Sequence, residues 1–245
     1  MFRDRFGLSM EYQLGKVRFR MRWIPPGRFQ MGSPKSESGR FDQEGPQHWV
    51  VIDRGFWLGE TPCTQALWQE VMGDNPSRFQ GPERPVEKVS WDDCQKFLKR
   101  LEGRLNLQDG LHFSLPLEAE WEYACRAGTT EARYDQDLDS IAWYAANSKK
   151  RTHPVGEKKA NPWGLFDMLG NVFEWCADGQ REYGDRNFDE TPSGSMDGPY
   201  RVRRGGSWYW RAWNVRAAYR YWSPRAYRYD NLGFRLARGP RALKS

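Results

Sequence analysis

The sequence has few cysteines and no long hydrophobic run. Its 245 residues include four cysteines, each more than thirty positions from the next: Cys63, Cys94, Cys125 and Cys176. No Cys-x-x-Cys pair occurs, which disfavours a zinc knuckle or a thioredoxin-type site. This spacing predicts free thiols in a reducing compartment, each buried as a small hydrophobic side chain. No stretch approaches the roughly 18 apolar residues of a membrane span, and residues 1–20 lack the apolar segment of a signal peptide.

Histidines and aliphatic side chains are also scarce. The three histidines, His48, His112 and His153, form no His-x-x-x-His pair, so we interpret each as a surface or core residue rather than a metal ligand. Mean hydropathy is −0.90, yet 15% of the residues are aromatic. Disordered chains are poor in aromatic residues, so this composition predicts a folded protein. Since no linker or internal repeat is visible, residues 1–245 are predicted to form a single domain.

Positive charge is concentrated in the last fifth of the sequence. The formal net charge is +6, but residues 201–245 contain twelve Lys or Arg and one acid, Asp230, which gives this part +11. The first 200 residues therefore carry −5. Such asymmetry is typical of a surface that binds nucleic acid or an acidic partner. It also fits arginines that form internal ion pairs with the acidic remainder, and the sequence does not separate the two.

Short strands, a few helices and much irregular chain are predicted. Residues 17–24 alternate apolar and basic side chains, which indicates a half-buried strand. Three helices are predicted: one capped by Thr64 and ended by Gly73, one capped by Ser90, and one over Glu118–Arg126. Further short strands are predicted at 29–32, 50–52, 56–58, 113–116, 202–208 and 232–236. Residues 127–163 and 178–200 have no clear periodicity, so the fold class is α+β and rich in irregular structure.

Six motifs in order along the chain resemble the formylglycine-generating enzyme (sulfatase-modifying factor) family. They are WIPPGRFQMGS at 23–33, PVEKVSWDDCQKFLKRL at 85–101, LPLEAEWEYACRAG at 115–128, GLFDMLGNVFEWCAD at 164–178, RRGGSW at 203–208 and NLGFRLAR at 231–238. The resemblance spans about residues 22 to 238. It implies a C-type-lectin-like fold of the formylglycine-generating-enzyme type.

The chain departs from this family at its catalytic cysteines. In the family, cysteines follow the Ser of the Gly-Gly-Ser motif by three and eight residues. Here those positions hold Trp210 and Val215, which cannot supply a thiolate or a soft metal ligand. The chain also lacks the histidine cluster of the iron-dependent relatives. We therefore expect no enzyme activity, no copper and no iron, and a formylglycine-generating-type oxidase stays as an alternative.

The C-terminal motifs resemble the variable proteins of diversity-generating retroelements, which share this fold. Arg204 to Trp208 is followed by Ala-x-Asn-x-Arg at 212–216, by Pro224 and by Leu-Gly-Phe-Arg at 232–235. The resemblance implies a protein that is cytoplasmic or phage-borne and displays diversified side chains to an unknown protein or surface ligand. The variable segment would cover about residues 208–231.

Within this segment, nine of the 22 residues from Trp208 to Tyr229 are Trp or Tyr. Adjacent large side chains must point in different directions, so some should face solvent, although the whole segment could instead pack as core. Positions predicted to form the binding surface are Tyr209, Trp210, Arg211, Trp213, Tyr219, Tyr221, Trp222, Ser223, Tyr227, Tyr229, Asp230 and Asn231. Positions interpreted as fixed scaffold are Trp208, Arg216, Arg220, Arg228, Phe234 and Arg235. Alternating aromatic residues and arginines also suit single-stranded nucleic acid, which is a further alternative.

The resemblance also implies a structural calcium site. It would be formed by Asp167, the carbonyl groups of Gly170 and Val172, and Glu174. Oxygen ligands of this kind suit a hard cation. The other interpretation of Glu174 is a buried ion pair with an arginine.

Overall fold

Three β-sheets, four α-helices and two short 3-10 helices, Asp42–Glu44 and Ala212–Asn214, make up the regular part of the computed structural model, which describes residues 1–184, 188–190 and 197–240. The strands are β1 Phe2–Asp4, β2 Gly7–Leu14, β3 Val17–Ile24, β4 Gly27–Met31, β5 His48–Ile52, β6 Phe56–Gly59, β7 Leu111–Ser114, β8 Phe173–Trp175, β9 Phe188–Glu190, β10 Tyr200–Arg204, β11 Arg220–Pro224, β12 Leu232–Phe234 and β13 Ala237–Pro240. The helices are α1 Gln65–Met72, α2 Trp91–Leu105, α3 Glu118–Arg126 and α4 Leu138–Ile141.

The largest sheet joins the two ends of the described chain. Its order is β1-β2-β3-β6-β13-β7, and neighbouring strands are antiparallel. The C-terminal strand β13 pairs with β6 through Ala237 opposite Leu58. Because β13 also pairs with β7, this last described strand lies inside the sheet rather than at its edge.

A second sheet carries the segment that resembles the variable proteins. Its order is β11-β10-β8-β12, with β12 parallel to β8 and the other pairs antiparallel. Val202 lies opposite Trp222, and Arg203 lies opposite Tyr221. A third sheet has the order β4-β5-β9. The long connection between β10 and β11 starts where Gly205 and Gly206, at φ 98° and 74°, turn the chain.

The predicted helices are confirmed, with the predicted caps. The Thr64 hydroxyl accepts a hydrogen bond from the backbone N–H of Leu67 at 3.2 Å, and Gly73 ends α1 at φ 89°. The Ser90 hydroxyl accepts from the backbone N–H of Asp93, whose carboxylate accepts in return from the Ser90 N–H. Both ends of α1 and the start of α2 are thus set by side chains and glycines that are local in sequence.

Strand positions were harder to predict. The pattern of residues 17–24 is confirmed as β3, and the α+β class is confirmed by the whole fold. Strands β1, β2, β8, β11 and β13 were not predicted, and β9 falls in the stretch 178–200, part of which lies outside the described residues. The prediction of one strand over 202–208 is wrong beyond Arg204, because the two following glycines have positive φ and leave the sheet.

Aromatic side chains make up much of the core. Trp121, Trp175 and Phe97 are among the largest fully buried side chains. All four cysteines are buried and free, as predicted: Cys63, Cys94, Cys125 and Cys176. No helix in the described ranges is long and apolar enough to cross a bilayer.

Arginines of the C-terminal fifth are part of the interior. Seven arginines between 201 and 240 are at most 6% exposed: Arg201, Arg203, Arg204, Arg216, Arg220, Arg235 and Arg238. Five of them make ion pairs with acids from earlier in the chain: Arg204 with Glu118 and Glu122, Arg216 with Glu37 and Glu44, Arg220 with Glu118, Arg235 with Glu174, and Arg238 with Asp109. The charge asymmetry is therefore largely explained by internal ion pairs. Arg241 and Lys244 lie outside the described residues.

Candidate functional site

A cavity of about 760 Å³ opens beside the β10–β11 pair. We call it the aromatic groove, and its lining residues are Gln43, Arg78, Tyr200, Arg203, Trp208, Tyr209, Trp210, Tyr221, Trp222, Ser223, Pro224, Tyr227, Tyr229, Asp230 and Asn231. Nine of the twelve residues predicted to form the binding surface are among them. A volume of this size is in the range of small-molecule and peptide side-chain sites.

Backbone hydrogen bonds hold the walls of the aromatic groove. The Trp208 indole N–H donates to the carbonyl of Asp230 at 2.9 Å, which joins the two ends of the variable segment. The backbone N–H of Lys88 donates to the carbonyl of Tyr229, and that of Trp91 donates to the carbonyl of Arg225. Since these bonds use main-chain acceptors, they fix the path of the loop independently of the side chains it displays.

The exposed rings of the groove lie close to one another. Tyr227 and Tyr229 stack with ring centroids 4.8 Å apart, and Tyr221 stacks on Trp222 at 6.0 Å. Tyr209 is 66% exposed, and Tyr221, Tyr227 and Tyr229 are each at least 40% exposed. Exposed aromatic side chains clustered in this way mark interaction sites, because folded proteins otherwise keep such surface small.

Three of the predicted binding residues do not line the groove. Arg211 and Trp213 lie outside it, with the Arg211 guanidinium 5.1 Å from the Trp213 ring. Tyr219 is 2% exposed, so its prediction as a surface residue is wrong. Its ring belongs to the core and is covered by Phe41 and Trp210, whose ring centroids lie 5.5 and 6.0 Å away.

The positions interpreted as scaffold are mostly buried. Trp208, Arg216, Arg220, Phe234 and Arg235 are at most 6% exposed. Arg228 differs, because its guanidinium is half exposed and pairs with Asp93 at 2.8 Å.

A buried arginine forms part of the groove and was not predicted as a site residue. Arg203 is 6% exposed, and its guanidinium carbon lies 4.6 Å from the ring of Phe173 and 4.8 Å from that of Tyr221. Burial among these rings lowers the pKa of Arg203, which stays a cation at neutral pH. No carboxylate in residues 1–184 or 197–240 makes an ion pair with it. One sequence signal could have located Arg203: side chains alternate between the two faces of a strand, so Arg203 shares the face of β10 that carries Arg201.

The loop after α1 forms another part of the groove and was also missed. Arg78 makes an ion pair with Asp230 at 2.5 Å, and Phe79 packs edge-on against Trp208 with centroids 5.3 Å apart. The Glu87 carboxylate lies behind this loop and accepts a hydrogen bond from the backbone N–H of Phe79 at 2.8 Å. Contacts between residues this far apart in sequence leave no local pattern.

The buried carboxyl group of Glu87 should make the stability of the fold depend on pH. The Glu87 side chain is fully buried, and burial raises the pKa of its carboxyl from 4.5 to about 7. The folded state therefore holds the proton more tightly than the unfolded state between these values, and stability falls as pH rises through that window. We expect Glu87→Gln to be more stable than the wild type by about 3 kcal/mol at about pH 8 and equal to it at about pH 4. Urea unfolding at both pH values measures this, and a difference independent of pH would contradict it.

Three residues of the implied calcium site, Asp167, Gly170 and Val172, lie in the loop that precedes β8, and the fourth, Glu174, lies within β8. Both Glu174 oxygens accept from Arg235, at 3.0 and 2.8 Å, and one also accepts from the Trp121 indole N–H. Burial raises the pKa of Asp167 to about 6. Within the described ranges, no cluster of three or more His, Cys, Asp or Glu side chains could hold a metal. The arginine already balances the charge of Glu174, which does not fit a calcium-ligand role for this residue. The set of Asp167, Gly170, Val172 and Glu174 stays a prediction.

The two positions that hold catalytic cysteines in the family carry no thiol in this chain. Trp210 forms part of the groove wall, and Val215 is fully buried. The four cysteines are at most 3% exposed, and burial raises the pKa of each thiol. No cysteine lines the aromatic groove, whose lining offers aromatic rings, hydroxyl and amide groups, the guanidinium groups of Arg78 and Arg203 and the carboxylate of Asp230.

Comparisons with known proteins agree with this architecture. The solved structure of Treponema denticola variable protein 1 superposes with a TM-score of 0.85 at 32% identity, covering 94% of this chain and 98% of that one. The formylglycine-generating enzyme of Streptomyces coelicolor is 30% identical over 76% of this chain and 77% of its own length. The serine/threonine-protein kinase pkn1 of Chlamydia caviae is 38% identical over 89% of this chain, which spans only 38% of that protein.

The predicted resemblances, to formylglycine-generating enzymes and to variable proteins, are therefore confirmed, as is the C-type-lectin-like fold of the formylglycine-generating-enzyme type. The profile of the sulfatase-modifying factor enzyme 1-like domain matches residues 14–240. The chain belongs to the family of the sulfatase-modifying factor enzyme 1-like domain.

Proposed function

We propose that this chain is the ligand-binding variable protein of a diversity-generating retroelement, and that the aromatic groove is its binding site. One observation carries the proposal. Nine positions that match exchangeable positions of the variable proteins line a single groove, whereas the matching scaffold positions are mostly buried. The similarity to Treponema denticola variable protein 1 over nearly both chains supports it further.

The groove has the physical properties of a binding surface. Tyr and Trp offer large contact areas and have only two side-chain torsions to immobilise, so they lose little entropy when a ligand binds. The ring stacks of Tyr221 on Trp222 and of Tyr227 on Tyr229 restrict these torsions before binding. A groove organised in this way loses less free energy on association than a mobile loop would.

The same groove suits exchange of its side chains. The loop from Arg225 to Tyr229 is held to the start of α2 by main-chain carbonyls, and the opposite end by the Trp208 indole. Substitution at Tyr227 or Trp222 leaves these bonds in place. The protein can therefore change its ligand without changing its fold.

The two alternative functions have less support. A formylglycine-generating-type oxidase needs a reactive thiol, and all four thiols are buried away from the groove. Binding of single-stranded nucleic acid needs several free cations along a track. Of the groove arginines, Arg78 is paired with Asp230, and at its edge Arg225 is paired with Asp92.

Selection of binding peptides from a displayed random library tests the proposal. We expect selected peptides to lose affinity on the order of 30-fold or more on the variant Trp222→Ala, Tyr227→Ala, since aromatic anchors dominate interfaces. The matched control Arg28→Ala, Trp49→Ala removes an exposed arginine and an exposed tryptophan, 5.3 Å apart, outside both the groove and the variable segment, and should bind as the wild type does. Peptides that bind both variants equally well would place the binding site elsewhere. A second measurement is DNA sequencing of sibling genes, which should differ only within about residues 209–231.

A further inference from the structure

Arg203 differs from the other buried arginines around it. Arg204, Arg216, Arg220 and Arg235 each contact at least one carboxylate. In the described ranges Arg203 has no such contact, and its guanidinium carbon lies 4.6, 4.8 and 5.9 Å from the ring centroids of Phe173, Tyr221 and Tyr229. The interior of the protein therefore contains one cation whose charge the described chain leaves without a counterion.

The open side of this cation faces the aromatic groove. Arg203 is 94% buried yet belongs to the groove lining, so the part of its guanidinium that is not covered by rings borders the cavity. Its Nε is buried without a hydrogen-bond partner. A buried charge without a partner is unfavourable, and a ligand that supplies an anion there would relieve this cost.

The shape of the guanidinium favours one kind of anion. Its N–H groups lie in a plane and match the two oxygens of a carboxylate with parallel hydrogen bonds. We propose that the aromatic groove binds a protein segment through an aspartate or glutamate side chain, whose carboxylate pairs with Arg203 while neighbouring apolar side chains contact the rings. This inference rests on the proposed function of the groove and adds the chemical class of its ligand.

A peptide carboxylate fits the groove better than a nucleic-acid strand does. The second cation of the lining, Arg78, is already paired with Asp230. A strand would bring several phosphates to a groove with one unpaired guanidinium. A single anionic side chain with apolar neighbours matches one cation surrounded by aromatic rings.

The experiment uses the peptides that bind the full chain and lose affinity on the variant Trp222→Ala, Tyr227→Ala. We expect these peptides to share an acidic residue. Its replacement by the matching amide, Glu by Gln or Asp by Asn, should weaken binding to the wild type on the order of 30-fold. On Arg203→Met the acidic peptide and its amide should bind with equal Kd, and Arg203→Lys should restore part of the difference. Arg28→Met, which removes an exposed cation outside both the groove and the variable segment, is the control that should change nothing.

Each other outcome has a distinct meaning. Peptides that depend on the groove but bind equally well as acid and amide overturn this inference and leave the proposed function standing; this comparison needs only the wild-type protein. A selection without any groove-dependent peptide overturns both. Preferential, Arg203-dependent binding of a short deoxythymidine oligomer would replace the protein ligand by nucleic acid.

Discussion

Replacement of Arg235 by methionine is expected to lower the free energy of unfolding by about 3–5 kcal/mol. Arg235 is fully buried, and its guanidinium donates to both oxygens of Glu174 and to the carbonyls of Gly59 and Phe166. The variant keeps Glu174, also fully buried, without its cation and with the Trp121 indole N–H as its side-chain donor. The variant should lose stability because the ionised Glu174 carboxylate stays buried without a counterion.

Two further variants identify the cause. The double variant Arg235→Met, Glu174→Met removes both charges and should recover most of the lost stability, because an apolar pair can replace a buried ion pair at little cost. Arg228→Met breaks the exposed pair with Asp93 and should cost less than about 1 kcal/mol. Urea unfolding of the four proteins measures these differences. Should the double variant be no more stable than Arg235→Met, lost packing rather than the unpaired carboxylate would be responsible.

Features that depend on neighbours in sequence could be predicted. Thr64, Gly73 and Ser90 mark the ends of their helices through contacts within a few residues, so the sequence alone located α1 and the start of α2. The exposed rings of the variable segment were predicted because Tyr209 and Tyr221 occur at fixed distances from recognisable motifs. The resemblance to a known family indicated which residues are exposed in the fold. Hydrophobic periodicity could not indicate this, because the segment contains little regular secondary structure.

Features that depend on distant contacts could not be predicted. Arg78 reaches Asp230 across 152 positions, and Arg220 reaches Glu118 across 102. No local pattern distinguishes such an arginine from an exposed one, so the net charge of residues 201–245 left both interpretations open. Tyr219 was placed on the surface for a related reason, since residue type alone does not separate a buried ring from the exposed ring two positions later.

Replacement of Gly170 by alanine is expected to cost about 3 kcal/mol and to weaken every groove-dependent ligand. Gly170 has φ 81° and forms a bridge with Trp143, so a Cβ would overlap the Trp143 carbonyl oxygen and lie 2.8 Å from its nitrogen. The backbone N–H of Gly170 donates to the carbonyl of Gly205, and the next residue, Asn171, accepts from the N–H of Trp208. Displacement of this loop would therefore move the start of the variable segment.

Gly128→Ala separates the two causes of this cost. Gly128 has φ 89° and no atom within 4 Å of the position of its Cβ, so its replacement strains the backbone without a clash and should cost about 1 kcal/mol. Thermal unfolding and the Kd of a groove-binding peptide should both change in Gly170→Ala, while Gly128→Ala should keep the wild-type Kd. Equal effects of the two substitutions would show that the bridge at Gly170 is not tight. A loss of stability without loss of affinity would show that the groove does not depend on this loop for its position, and that the contacts from α2 suffice to hold it.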